Sequence, residues 1–148
     1  MIKTTYEEEL ERKGSFTFTN VGVSMLPLIK QGRDLFTITK KQGRCQKYDV
    51  VLYRRPPSSY VLHRVVKVRD DDYIILGDNC LQKEYGITDE DIIGVMTSFV
   101  RKGKNYSVEH MGYRIYSRVW YFFYPLRKQM ITLKIKVKRM IKKIIKKD

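Results

Sequence analysis

Short runs of β-branched and aromatic residues, separated by Gly, Pro, Asp or Asn, make up most of this sequence. Such runs favour strands, and the residues between them favour turns. Many short strands at close spacing predict one compact, mainly β domain of the sandwich or partial-barrel type. The predicted strands are residues 16–19, 34–39, 49–53, 60–69, 73–76, 92–100 and 106–109.

The two ends of the chain depart from this β pattern. Thr5 and Glu8 fit a capping box and Gly14 fits a stop signal, so we predict a short helix over 5–13. From residue 113 onward, aromatic residues are followed by a basic stretch whose apolar residues have helical spacing. The predicted organisation is an N-terminal helical unit (1–14), a β domain (15–112) and an aromatic, basic amphipathic helical tail (113–148).

Positive charge is concentrated in that tail. The chain has a net charge of +14, and its last 36 residues hold twelve Lys and Arg residues against one acid. A cationic amphipathic helix beside aromatic residues suits the surface of an anionic membrane. A packed or partner-docking helix and nucleic-acid binding are the alternatives, although no recognition fold accompanies the charge. The candidate membrane-binding residues are Trp120, Lys134, Lys138, Lys142 and Lys146.

The cysteines and the hydropathy of the chain argue against a metal site, a secretory signal and a membrane-spanning helix. Cys45 and Cys80 have no CxxC or Cys/His cluster around them, so we predict no metal site and no cofactor. The acidic N-terminus lacks the apolar run of a secretory signal, and no stretch of about 18 uncharged apolar residues is present. We therefore expect a cytoplasmic protein that is peripheral to the membrane.

Three polar residues stand out against this background. Ser24, with Gly22 before it, lies in an apolar stretch where a strand breaks into a turn, which leaves its backbone N–H free. His63 lies in a predicted strand, and Asp78 lies in a Gly-Asp-Asn turn after another strand. A hydroxyl, an imidazole and a carboxylate are the groups needed for nucleophilic acyl transfer. An ordinary turn serine, a packed histidine and an Asx turn are the alternative interpretation.

Several segments resemble type I signal peptidases and their self-cleaving repressor relatives. Residues 22–27 resemble the Ser-Met-x-Pro box, 48–53 the Gly-Asp-hydrophobic strand, 62–66 the general-base strand, 77–79 the acidic turn and 89–95 the closing segment. The segments occur in the family's order and cover roughly residues 18–102. The histidine followed by arginine at 63–64 resembles the endoplasmic-reticulum, archaeal and sporulation-associated signal peptidases rather than the lysine type.

The resemblance implies a serine endopeptidase that binds its substrate as an extended strand with small side chains near the cut. Ser24 is then the nucleophile and His63 the base, and either Asp78 or Glu84 supports His63. Glu84 stands where aspartate is usual in these relatives. The expected oxyanion donor is the Ser24 N–H, in a turn formed by Gly22, Ser24 and Met25.

The tail differs from the transmembrane anchors that signal peptidases normally have. We therefore expect a peptidase at or near a membrane surface that cleaves a dedicated peptide, leader or preprotein. A catalytically silent member of the fold that binds a peptide, or serves as a membrane-associated interaction module, is the alternative. A repressor-type transcriptional regulator is less compatible with the histidine at position 63.

Overall fold

The computed structural model describes residues 5–146, which are built around one antiparallel sheet. Within this range the sheet has eight strands in the order β1-β2-β7-β3-β4-β5-β6, with β8 paired to β7. The predicted mainly β fold is confirmed. The strands are β1 (Ser15–Thr19), β2 (Leu35–Lys40), β3 (Val50–Arg55), β4 (Ser59–Val68), β5 (Tyr73–Leu76), β6 (Glu84–Ile87), β7 (Ile92–Arg101) and β8 (Lys104–Ser107).

Three helices flank the sheet in the described range: α1 (Tyr6–Lys13), α2 (Met111–Phe122) and α3 (Tyr124–Ile145). The predicted capping box at the start of α1 is present, since Thr5 and Glu8 exchange hydrogen bonds between side chain and backbone. Gly14 ends α1 in the left-handed conformation, as predicted. Residues 1–4 of the predicted N-terminal unit and 147–148 of the predicted tail lie outside the described residues.

One strand was missed by the sequence patterns. β6 is short and polar and contains Gly86 at a φ of 73°, so it lacks the composition of a strand. Its conformation is set by pairing with β5, in which Ile75 lies opposite Glu84 and Tyr73 opposite Ile87. This pairing brings Glu84 to the sheet.

The central pair β3–β4 is buried on both of its faces. Val51 lies opposite His63 and Leu52 opposite Leu62, so these pairs project to alternate sides of the sheet. Leu52 and Leu62 belong to the cluster formed with β2, β7 and α1, whereas Val51 belongs to the second cluster with β5. His63 and the next residue, Arg64, therefore point in opposite directions.

The tail is packed against the domain at its start and exposed towards its end. Tyr113 of α2 and Tyr124 of α3 are buried in two of the core clusters. From Leu133 to Lys146 every side chain of α3 is exposed. None of the helices in residues 5–146 has both the length and the apolar character required to cross a membrane.

Candidate active site

Ser24 lies in a turn between β1 and β2 and is partly exposed. The Met25 side chain, which follows the serine, is fully buried in the core and anchors the turn. Asn79 ties the turn to the loop after β5: its backbone N–H donates to the Ser24 carbonyl at 2.8 Å, and its side-chain amide donates to the Val23 carbonyl at 3.1 Å. Because of these bonds, two segments far apart in sequence hold Ser24 in place.

Gly77 allows His63 to approach this turn closely. A Cβ at residue 77 would lie 2.8 Å from His63 Nε2 and 2.9 Å from the Ser24 carbonyl oxygen. Both distances are shorter than real Cβ contacts, and the serine oxygen belongs to the backbone and has little freedom to move. The absence of a side chain at Gly77 therefore lets the imidazole and the serine turn share the same small space.

His63 is buried, and its two ring nitrogens face different partners. Nδ1 lies 3.3 Å from Glu84 Oε1 and 3.2 Å from the Tyr53 hydroxyl. Nε2 faces Gly77 and the serine turn. An Nδ1–H that donates to Glu84 leaves Nε2 as the acceptor nitrogen, which is the tautomer a base for a serine hydroxyl needs.

The charges around His63 favour a neutral imidazole beside an ionised carboxylate. Burial lowers the pKa of His63 below its ordinary value, against the opposing attraction of Glu84. Burial alone would raise the pKa of Glu84, but hydrogen bonds from Arg55 and Tyr53 outweigh it, so this pKa lies below its usual value. At neutral pH, Glu84 is therefore an anion held between Arg55 and His63.

The Asp78 carboxylate binds Arg64 and not His63. Its two oxygens each accept a hydrogen bond from the Arg64 guanidinium at 2.8 Å, and both side chains of this pair are 2% exposed. The Tyr116 hydroxyl donates to the same carboxylate at 2.8 Å. Since Arg64 points away from His63 along β4, the structure brings Glu84, and not Asp78, to the imidazole.

The predicted oxyanion turn keeps two backbone donors available. The N–H groups of Ser24 and Met25 donate no hydrogen bond to any of the described residues. The N–H of Gly22 is used, because it donates to the Gln31 side-chain oxygen at 2.7 Å. The turn thus leaves two adjacent N–H groups without an acceptor in the described part of the protein, which an oxyanion site requires.

Cys80 is a second nucleophilic group beside His63. Its Sγ lies 3.9 Å from His63 Nε2. Burial raises the pKa of the Cys80 thiol, which therefore stays protonated at neutral pH. Ser24 Oγ forms no hydrogen bond with His63 in the described range; such bonds often tighten only when substrate binds.

Ser24, His63 and Glu84 all line one open cleft of about 820 Å³. This volume falls in the range of small-molecule and peptide side-chain pockets. Aromatic side chains, among them Phe18 and Tyr60, also line the cleft. The cleft therefore joins an apolar binding surface to a hydroxyl, an imidazole and a carboxylate.

The residues predicted to bind a membrane fall into two groups. Lys134, Lys138, Lys142 and Lys146 are exposed on α3. Trp120 does not lie with them, because its indole N–H donates to the Asp78 carbonyl at 2.8 Å and its ring is covered by the Arg127 guanidinium at 3.9 Å. Trp120 is therefore engaged by the domain and is not presented together with the four lysines.

The sequence patterns missed several residues that shape this site. Tyr53 and Arg55 are two positions apart on β3, on the strand face that His63 shares through its pairing with Val51. The register of β3 and β4 would have placed Tyr53 and Arg55 beside His63, but the sequence patterns do not give that register. Asn79 had no sequence signal beyond its place in a turn.

We found no group of three His, Cys, Asp or Glu side chains within residues 5–146 that is arranged to hold a metal ion. Both cysteines are free thiols. Comparisons with protein-family models, with curated proteins and with solved structures found no match to this chain.

Proposed function

We propose that this protein is a serine endopeptidase in which Ser24 is the nucleophile, His63 is the base and Glu84 orients His63. The observation that carries the proposal is the position of His63 between Glu84 at Nδ1 and the Ser24 turn at Nε2. The resemblance of the serine and histidine segments to histidine-type signal peptidases supports the same assignment.

In the proposed reaction, Ser24 Oγ attacks the peptide carbonyl while His63 Nε2 accepts its proton. The N–H groups of Ser24 and Met25 stabilise the oxyanion of the tetrahedral intermediate. His63 then gives the proton to the leaving amine, and water hydrolyses the acyl-enzyme by the same route. Glu84 stabilises the imidazolium that forms twice in each cycle.

Asp78 has a structural role in this proposal. Its bidentate bond to buried Arg64 fixes the loop that carries Gly77, Asn79 and Cys80. The loop in turn holds the serine turn through Asn79. Asp78 thus acts mainly on the position of the nucleophile, and its charge adds a smaller influence than that of Glu84 on the pKa of His63.

The test combines labelling by a fluorophosphonate probe with cleavage of a peptide library by the full chain. We expect Ser24→Ala and His63→Ala to abolish both signals and Cys80→Ala to retain them. Loss in Cys80→Ala with retention in Ser24→Ala would transfer the nucleophile to the cysteine. The library also shows whether small side chains near the cut are preferred.

A peptide-binding module without catalysis is the second candidate. It is favoured by one observation, that Ser24 Oγ does not bond to His63 among the described residues. In that case, library peptides bind the cleft with equal affinity in wild type and Ser24→Ala, and the probe labels neither.

We also propose that α3 attaches the protein to an anionic membrane surface. Its apolar residues Leu126, Met130 and Leu133 are exposed from the first turns of the helix, where buried Tyr124 faces the domain. The apolar side therefore points away from the β domain. Cationic residues on the flanks each add about 1 kcal/mol at an anionic surface.

Vesicle sedimentation tests this attachment. The full chain should bind vesicles of phosphatidylcholine with one-third phosphatidylglycerol more tightly than phosphatidylcholine alone. Replacing Lys134, Lys138 and Lys142 together with Gln should weaken binding by up to about a hundredfold, the loss expected when each charge contributes about 1 kcal/mol. Unchanged binding in that variant would contradict the proposed role of α3.

A further inference from the structure

A second pocket, of about 610 Å³, lies where α2 meets α3 and the loops before β3 and β6. Three cationic side chains line it: Lys47, Lys83 and Arg118. Tyrosine rings form much of the rest of the wall, and no Asp or Glu side chain lines it. The pocket is therefore positively charged and otherwise largely apolar.

The three cations are held by aromatic rings instead of acids. Lys47 and Arg118 each lie 5.0 Å from the centre of the Tyr48 ring, and Lys83 lies 5.2 Å from that of Tyr124. None of the three forms an ion pair within residues 5–146, whereas Arg55 in the cleft pairs with Glu84 and buried Arg64 pairs with Asp78. Their positive charge is thus available to an anion.

The pocket opens onto an exposed apolar surface. Val119 and Phe122 line the pocket, and Phe122 is 75% exposed. These two belong to an apolar band of exposed residues whose members recur every three or four residues within α2 and within α3. The apolar band comprises Ile115, Val119, Phe122, Leu126, Met130 and Leu133, all exposed.

We propose that this three-cation pocket binds the phosphate of an anionic phospholipid while the apolar band lies in the membrane interface. The inference rests on the membrane attachment proposed above and adds a specific site to it. An apolar band beside the cations favours lipid over nucleic acid, because nucleic-acid interfaces are polar and strongly cationic. The phosphate accepts from the lysines and Arg118, and the acyl chains extend along the band.

The test uses the full chain and a triple variant, Lys47→Gln/Lys83→Gln/Arg118→Gln. The matched control is Lys30→Gln/Lys102→Gln/Lys104→Gln, which removes the same charge from exposed lysines that do not line the pocket. Vesicles of phosphatidylcholine carry either phosphatidylglycerol or oleate, adjusted to equal surface potential. Thermal unfolding of each variant verifies the fold.

We expect the pocket variant to bind phosphatidylglycerol vesicles about a hundredfold more weakly than wild type, because each cation at the surface is worth about fivefold. The control variant should lose less than about threefold, since its three lysines do not line the pocket and its loss reflects net charge alone. Wild type should prefer phosphatidylglycerol to oleate, and the pocket variant should lose that preference.

Other outcomes overturn the proposal and separate it from membrane attachment. Equal losses in the two triple variants would mean that only net charge matters. If Leu133→Glu abolishes vesicle binding while the pocket variant retains it, attachment through α3 is supported and the phosphate-binding site is refuted. If wild type binds neither kind of vesicle, membrane attachment and the phosphate-binding site are both refuted. A pocket variant that loses binding to a single-stranded oligonucleotide, or loses self-association, but still binds vesicles would assign the cations to another partner.

Discussion

Replacing Glu84 with glutamine tests the proposed catalytic arrangement most directly. The amide keeps the shape of the side chain and an oxygen that can accept from His63 Nδ1, so it removes mainly the charge. At 3.3 Å and an effective dielectric constant of about 20, a unit charge is worth about 5 kcal/mol to an imidazolium. Arg55 bonds to the same carboxylate and opposes part of this effect. We therefore expect kcat/KM to fall by about 10²–10³-fold, which is about 3–4 kcal/mol.

The pH profile of the same variant gives an independent readout. Activity requires neutral His63, so it rises with pH through the pKa of that residue. Burial already lowers this pKa and Glu84 opposes the shift. Glu84→Gln should therefore move the acid limb of kcat/KM to lower pH while it reduces the plateau.

Two variants control this experiment, measured as probe labelling and peptide cleavage. Glu90→Gln removes an exposed carboxylate outside the cleft and should leave both rates unchanged. Asp78→Asn leaves Arg64 buried without its partner and should cost about 3–5 kcal/mol of stability. The folded fraction of that variant should shift its acid limb less than Glu84→Gln does, because the Asp78 charge has a smaller influence on the pKa of His63. Wild-type rates in Glu84→Gln, together with a larger shift of the acid limb in Asp78→Asn, would refute the assignment of Glu84.

Three further variants test the supports of the site and of the domain. Gly77→Ala should reduce probe labelling at least about tenfold, because its Cβ would press on the Ser24 carbonyl; wild-type labelling would contradict the close approach. Asn79→Ala should cost about 1 kcal/mol in urea unfolding and slow labelling several-fold, since it loses one bond to the serine turn. Asp34→Asn should lose about 2 kcal/mol at pH 7, because hydrogen bonds led by that of Arg33 lower the pKa of Asp34 to about 2. That difference should disappear as the pH falls from about 4 towards 2, and a constant difference would exclude the charge as its cause.

The elements that the sequence predicted correctly are those with local causes. Six strands of alternating or apolar character and the capping box of Thr5 and Glu8 depend on residues close in sequence. The place of Ser24 in a turn after β1 follows likewise from its glycine and proline neighbours. These features need no knowledge of which strands pair.

The acid partner of His63 depended on information that is not local. The sequence left Asp78 and Glu84 open because the resemblance offers an acid at both places and aspartate is usual where Glu84 stands. Only the pairing of β6 with β5 shows that Glu84 returns to the face of His63. Likewise, the alternation of β4 directs Arg64 and its partner Asp78 to the other side.

The contacts of the tail with the β domain also could not be predicted from local sequence. Its amphipathic spacing was visible, but the spacing did not reveal that its aromatic residues fold back onto the loop after β5. Trp120 and Arg127 both donate to the Asp78 carbonyl, and Tyr124 donates to the Leu81 carbonyl at 2.6 Å. Trp120 and Tyr124, which looked suited to a membrane, therefore bind the loop after β5.

These bonds connect the proposed membrane surface to the proposed active site through one short segment. Residues 77–84 include Gly77, which lies beside His63, and Lys83, which lines the three-cation pocket. They also include the Asp78 and Leu81 carbonyls that accept hydrogen bonds from the tail. They end at Glu84, which faces the imidazole. A lipid phosphate at Lys83 and a peptide at Ser24, as proposed above, would therefore contact the same short segment. We expect each ligand to tighten the binding of the other if it orders this loop, and equal peptide affinity with and without anionic vesicles would contradict that coupling.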